Sequence, residues 1–188
     1  MAIGTGSETI RAYADGGCRG NGRTGNIGGY GIVLEWKGRT REFSEGFRET
    51  TNNRMELLAA LDALRLILAI PGYAGQPVEL TSDSKYVIEC FEKSWYAGWR
   101  RKGWKTSAGK PVKNRDLWEP LLEAKEGLEA RGAEVTFTHV LGHKGHPQNE
   151  RCDELANLAM DAVASRRREP VPDTPEGTAR ALGLPHLG

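Results

Sequence analysis

Four acidic residues stand where the pattern of the chain changes character. Asp15 closes an alternating run, Thr9 to Ala14, and Asp83 closes a second, Val78 to Thr81. Glu56 falls in the first turn or so of the helical stretch between them, and Asp153 lies near the start of the last one, behind a turn carrying His143 and His146. Taken singly, an Asp before Ser or Gly at a strand end serves most often as a turn former or helix cap. Taken together, the acids suggest other chemistry. If the two strands are parallel neighbours, Asp15 and Asp83 emerge at the carboxyl edge of a sheet, where open α/β folds bind ligands. Crowded carboxylates repel, and their pKa values rise unless a cation neutralises them. Hard oxygen donors in this number suit Mg²⁺ or Mn²⁺ rather than zinc. Two such ions ~3.5–4 Å apart can activate a water and stabilise the leaving oxygen of a phosphodiester. Among the histidines, His143 lies between Gly142 and Gly145, which would let it move; an imidazole of reference pKa ~6.5 can trade protons near neutrality. His146, followed by Pro147, reads as a capping or packing residue, and His139 as part of a strand. Glu150 is near enough to such a site to modulate metal occupancy.

The elements that must position these groups follow from periodicity and punctuation. After the first strand come eight glycines in residues 16–31, a loop that must turn tightly or approach something closely. Tyr30 to Trp36 and Arg39 to Phe47 read as strands joined by a Lys37-Gly38 hairpin. Thr51-Asn52-Asn53 offers N-caps for a helix running to about Ile70, with Leu57, Leu61, Leu64 and Leu68 as its core stripe. Ser84 caps a helix through about Glu92, Asp116 to Arg131 is helical, Glu134 to Val140 is a strand, and Asn149 to about Ser165 is the last helix. There are no internal repeats. This order combines a hairpin sheet with βαβ units, so an α/β fold with a mixed sheet flanked by helices is expected. Residues 1–8 read as a loose start, 9–165 as the folded domain, and the Pro-containing stretch 166–188 as a flexible tail.

Composition sets the outer limits. A chain of 188 residues with 38% hydrophobic and 27% charged residues suits one domain with a buried core. Its longest uncharged apolar stretch, Leu66 to Ala74, falls far short of the ~20 residues of a membrane span. No h-region is visible in residues 1–9, and three cysteines without a CxxC argue against a disulfide framework or structural zinc. A cytoplasmic monomer without membrane contact is the resulting expectation. A net charge of +1, taken at face value, argues against a nucleic-acid partner. Residues 93–115, however, hold eight cations and no acid, which leaves −7 for everything else. Trp95, Trp99 and Trp104 are interleaved with those cations. A solvated charged face is one account of such a run; a surface that tracks phosphates, with aromatic faces packing on sugars or bases, is the other. Some tryptophans must anchor the segment, with Trp118 and Trp104 the candidates.

Five stretches together resemble bacterial type 1 ribonuclease H. They are Asp15-Gly-Gly-Cys-Arg-Gly-Asn21, Thr51-Asn-Asn-Arg-Met-Glu-Leu57, Thr81-Ser-Asp-Ser-Lys-Tyr-Val87, the basic Trp99 to Trp118 segment, and Gly142 to Ala156. The resemblance covers about Thr9 to Ser165. It implies a ribonuclease H-like fold with a five-stranded mixed sheet, three strands antiparallel and two added parallel. It implies an endonuclease that hydrolyses the RNA strand of RNA–DNA hybrids by two-metal-ion catalysis, leaving 5′-phosphate and 3′-hydroxyl ends. Position by position, Asp15, Glu56, Asp83 and Asp153 become the carboxylates holding two Mg²⁺ ions, with Mn²⁺ an alternative. His143 becomes a mobile histidine assisting proton transfer or product departure. Cys18, Asn21, Asn52 and Asn53 become minor-groove contacts, where 2′-hydroxyls distinguish RNA from DNA; Asn52 or Asn53 could instead cap the helix. Trp95, Trp99, Arg100, Arg101, Lys102 and Trp104 belong to the basic protrusion.

The chain departs from that family in places. Gly22 to Ile27 forms a longer loop than the family's compact turn, Gly17 stands where serine is common, and Lys85 where glutamine is common. Arg166-Arg167-Arg168 reads as a fraying helix end or an added nucleic-acid contact. Two other readings of the same fold are a noncatalytic hybrid-binding module and a DNA resolvase or integrase core. Four acids beside a phosphate backbone would not help a pure binder, and a resolvase would not need the protrusion.

Overall fold

The computed structural model describes residues 8–142 and 145–165. Three long strands come first: β1 (Ile10–Arg19), β2 (Ile27–Trp36) and β3 (Arg39–Arg48). They are followed by α1 (Asn52–Leu68), β4 (Val78–Ser82), α2 (Lys85–Glu92), α3 (Trp95–Arg101), α4 (Arg115–Glu129), β5 (Val135–His139) and α5 (Pro147–Ser165). The sheet order is β3-β2-β1-β4-β5. β1, β2 and β3 pair antiparallel, whereas β4 adds parallel to β1 and β5 parallel to β4. This is the expected five-stranded mixed sheet. Among the described residues no helix is long and apolar enough to cross a membrane.

α1 carries the main core. Leu57, Leu61 and Leu64 are fully buried, with Ala59, Ala60 and Ala63 allowing close approach to the sheet. Thr51 caps it, its side chain accepting from the Arg54 N–H, so neither Asn52 nor Asn53 is the cap. The helix stops at Leu68, just ahead of the Pro71-Gly72 breaker.

The largest difference from the sequence-based expectation concerns the glycine-rich stretch. Its first and last parts are strand, with Gly16 paired to Tyr30, Gly17 to Gly29 and Cys18 to Gly28. Glycine weakens a strand, so its presence here needs a reason. Helix packing supplies it. Register aligns Gly17, Gly29 and Gly46 in a row across β1, β2 and β3, and α5 lies along it. A Cβ on Gly29 would stand 2.7 Å from the Ala156 carbonyl oxygen, one on Gly46 2.5 Å from that of Ala159, and one on Gly31 2.1 Å from that of Cys152. On the opposite face, a Cβ on Gly16 would stand 2.4 Å from the Met55 carbonyl carbon of α1. Both helices therefore press their backbones against the sheet at the same end.

Candidate active site and nucleic-acid interface

Strand register brings the first two acids level. Tyr13 of β1 pairs with Thr81 of β4, and two residues further along the chain from each stand Asp15 and Asp83. Asp15 lies inside β1 rather than at its end, because the β1–β2 ladder continues to Arg19. It shares the α5 side of the sheet with Tyr13, as two-residue alternation requires; Tyr13 packs there with Val33, Cys152 and Leu155. Asp153 rides on α5 and Glu56 on the first turn or so of α1. The glycine contacts described above let both helices come near enough for these acids to act on one another.

Electrostatics records that convergence. Burial, then the negative charges of Asp83 and Asp153, raise the Asp15 carboxyl from 3.8 to about 7; Glu56 adds to the rise and the Gly16 N–H opposes it. Glu56 is also raised, first by burial and further by the charge of Asp83. Its two oxygens are oriented by separate donors: Asn52 Nδ2 reaches Oε1 at 2.7 Å and Ser84 Oγ reaches Oε2 at 2.6 Å. Asp83 Oδ2 lies so close to Gly142 that a Cβ there would stand 2.4 Å away. His139 Nε2 sits 3.2 Å from the Asp83 carbonyl oxygen. Among the described residues, no three His, Cys, Asp or Glu side chains stand close enough together to hold a metal ion as they are placed; the acids act on one another through charge. An all-carboxylate donor set of this kind, with its protonation equilibrium displaced upward, fits a hard divalent cation.

His143 lies outside the described residues. Its neighbour Gly142 abuts Asp83, and the Gly145 N–H donates to Glu150 Oε1 at 3.2 Å. His146 packs its ring 5.5 Å from that of Tyr13, the packing role expected of it. Ser84, Gly142 and Asn157, whose Nδ2 donates to Asp153 Oδ1 at 3.1 Å, were not singled out from the sequence as site residues. Only Asn157 carried a signal there, its four-residue helical spacing from Asp153.

The proposed minor-groove contacts lie beside Glu56. Asn21 Oδ1 accepts the Asn52 N–H at 3.2 Å, and Cys18 Sγ lies 3.7 Å from the Thr50 carbonyl oxygen. Asn53 is exposed. The longer 22–27 loop is pinned by Asn26, whose Nδ2 donates to the Arg23 carbonyl and whose Oδ1 accepts the Thr50 N–H.

The basic segment is folded rather than a plain loop, and α3 is its first part. Trp118 is fully buried and bolts it down: Nε1 donates to Tyr86 Oη at 3.0 Å, and the ring packs edge-on against Trp99 at 5.4 Å. Trp104 is also buried, with Arg115 over its ring. That burial suits the anchoring role expected of Trp104. Trp95, Trp99, Arg101 and Lys102 line an open groove of about 400 Å³ together with Lys105. Arg100 points elsewhere, into an ion pair with Glu126 of α4.

Residues 7–161 match the family model described as RNase H. The chain is 49% identical over 170 residues to a protein named Ribonuclease H from Nitratidesulfovibrio vulgaris (strain DSM 19637 / Miyazaki F), covering 89% of this chain and 96% of that one. Its structure is similar to that of LC9-RNase H1, described as a type 1 RNase H with the type 2 active-site motif, at a TM-score of 0.66 and 33% identity, covering 83% and 74% of the two chains. It is also similar to LC11-RNase H1 solved in complex with an RNA/DNA hybrid, at a TM-score of 0.57 and 26% identity, covering 83% and 99%.

Proposed function

The chain belongs to the RNase H family, and from that premise we propose that it is an endonuclease hydrolysing the RNA strand of RNA–DNA hybrids, leaving 5′-phosphate and 3′-hydroxyl ends. The observation that carries this reading is the Asp15 carboxyl, raised to about 7 by burial and by the charges of Asp83, Asp153 and Glu56. Such a cluster is costly to a protein that has no use for it. Asp15 and Asp83 stand just past the last pair of the parallel β1–β4 ladder, the edge at which α/β sheets bind ligands. The solved complex of LC11-RNase H1 with a hybrid supports the substrate class.

In this reading Asp15, Glu56, Asp83 and Asp153 hold two Mg²⁺ ions, with Mn²⁺ able to substitute. Bound there, the ions supply an activated water and stabilise the leaving oxygen of the phosphodiester. The protein's own contribution is orientation. Asn52 and Ser84 fix the two oxygens of Glu56 before substrate arrives, and His143 is assigned the role of assisting proton transfer or product departure. Cys18, Asn21, Asn52 and Asn53 face the RNA strand across the minor groove, where 2′-hydroxyls mark it as RNA. Trp95, Trp99, Arg101 and Lys102 grip the partner backbone from their groove.

The test incubates the protein with labelled RNA–DNA hybrid, RNA duplex and DNA duplex, each with Mg²⁺ or with EDTA. Cleavage of the RNA strand of the hybrid alone is expected, abolished by EDTA and by Asp83→Asn. Binding without cleavage overturns the enzyme reading, and cutting of the DNA duplex points to a resolvase.

A further inference from the structure

Asp153, Asn157 and Asp161 succeed one another at four-residue spacing along α5, on one helical face. Arg19, the last residue of β1, reaches that face from the sheet. It pairs through Nη1 with Asp161 Oδ1 and donates through Nη2 to Asn157 Oδ1 at 2.8 Å. Asn157 in turn donates through Nδ2 to Asp153, to its carbonyl oxygen at 2.9 Å and its carboxylate Oδ1 at 3.1 Å. The hydrogen bonds thus run in one direction, from guanidinium to amide to carboxylate.

We propose that Asn157 is a positioning residue for Asp153, and that Arg19 sets the orientation in which it works. The inference rests on the reading of Asp153 as a metal-binding carboxylate. An asparagine amide has one accepting and one donating end, and which end faces which neighbour is decided by the hydrogen-bond network. Arg19 has donors only, so it claims the Asn157 oxygen and turns the NH₂ group toward Asp153. Turned the other way, the amide would set an oxygen against a carboxylate oxygen and leave the guanidinium facing an NH₂ group. One oxygen of Asp153 is thereby engaged and the carboxyl plane fixed, leaving the second oxygen for a ligand. Arg19 also lies on the strand that carries Asp15. The relay therefore ties the rotamer of an acid on α5 to the strand that presents its partner. Partners of this kind alter metal affinity by about 10–100-fold when removed. The Arg19–Asp161 pair is exposed on both sides, where ion pairs add little to stability, so its removal leaves the fold intact.

The experiment compares wild type, Asn157→Ala, Arg19→Met and Arg19→Lys in the full chain. Mg²⁺ binding is measured by calorimetry without substrate, the Mg²⁺ dependence of cleavage and KM for the hybrid by kinetics, and Tm in EDTA. Asn157→Ala and Arg19→Met, which has no donor to offer, are expected to weaken Mg²⁺ binding about tenfold, with KM for the hybrid and Tm nearly unchanged. Arg19→Lys, which keeps a donor for the Asn157 oxygen, recovers most of the affinity. Unchanged Mg²⁺ affinity with a lowered Tm overturns the proposal and makes the relay a strut between β1 and α5. If wild type binds no Mg²⁺, or Asp153→Asn binds it equally well, the reading of the site fails and this inference with it.

Discussion

Replacing Asp15 by Asn is expected to stabilise the metal-free protein while abolishing activity. The substitution keeps the shape of the side chain and removes one negative charge from a group of four acids. The folded state holds the Asp15 proton up to about pH 7, whereas the ordinary carboxyl value is 3.8. An acid with a raised folded-state pKa costs nothing below about pH 4, where both states are protonated. The cost grows as pH rises between the two values and is complete above about 7. At about 1.4 kcal/mol per pH unit the ceiling is roughly 4 kcal/mol. Solvent screening and the desolvation of the new amide reduce the expected gain to about 1–3 kcal/mol. Urea unfolding of both proteins in EDTA at pH 4, 6 and 8 measures it. The two curves should coincide at pH 4, with the Asp15→Asn variant ahead at pH 8. Saturating Mg²⁺ should then close or reverse the gap, since binding at 100 times Kd is worth about 2.7 kcal/mol to the wild type. If Asp15→Asn is no more stable than wild type at pH 8 in EDTA, the acids do not repel as argued and the case for a shared site collapses.

Three further outcomes follow from the packing. Gly31→Ala drives a methyl into the Cys152 carbonyl; overpacking of this kind costs about 1–3 kcal/mol, and activity should fall further than the folded fraction because α5 carries Asp153. A variant with wild-type kcat would show that α5 need not sit so close. Trp118→Ala, at a fully buried site beneath Trp99 and Tyr86, should cost about 3–5 kcal/mol and weaken hybrid affinity in the fraction that folds, measured by urea unfolding and by fluorescence anisotropy. Replacing Arg100, Arg101 and Lys102 together by Ala should flatten the plot of log affinity against log salt by about 2 rather than 3, at about one per phosphate contact, because Arg100 is already paired with Glu126. An unaltered slope would remove the segment from the interface.

The features legible in the sequence were those set by local pattern. Strand and helix order came from alternation, the leucine stripe and breakers, and Trp118 as an anchor came from the need to fix a loop carrying three other tryptophans. Features that depend on what lies across a gap were not legible. Asp15 read as the end of a strand because Gly16 and Gly17 look like a turn; only the pairing of Gly17 with Gly29 and of Cys18 with Gly28 extends the strand beyond it. Asn52 read as a possible cap, yet Thr51 takes that place and frees Asn52 to reach Glu56 one turn along. Ser84 reads as a cap alone, although its hydroxyl also holds Glu56, a contact set by where α1 meets the start of α2.

The glycines and the acids belong to one design constraint. A carboxylate on a helix can approach one on a strand only if the helix axis comes closer to the sheet than ordinary side chains permit, and the row Gly17, Gly29 and Gly46 opens that space for α5 while Gly16 opens it for α1. Such positions bury no side chain and cost backbone entropy, so this end of the sheet contributes less to stability than the end filled by Ile10, Leu80 and Leu64. The same proximity makes the acids repel. Both costs fall at one place, the site proposed for cations and a phosphodiester, and the remaining core must be large enough to carry them. That division explains why a near-neutral chain holds an acidic centre and a basic grip side by side: the negative charges are fixed by glycine-permitted closeness, and the positive ones stand on a separately bolted segment whose anchor, Trp118, lies in the core.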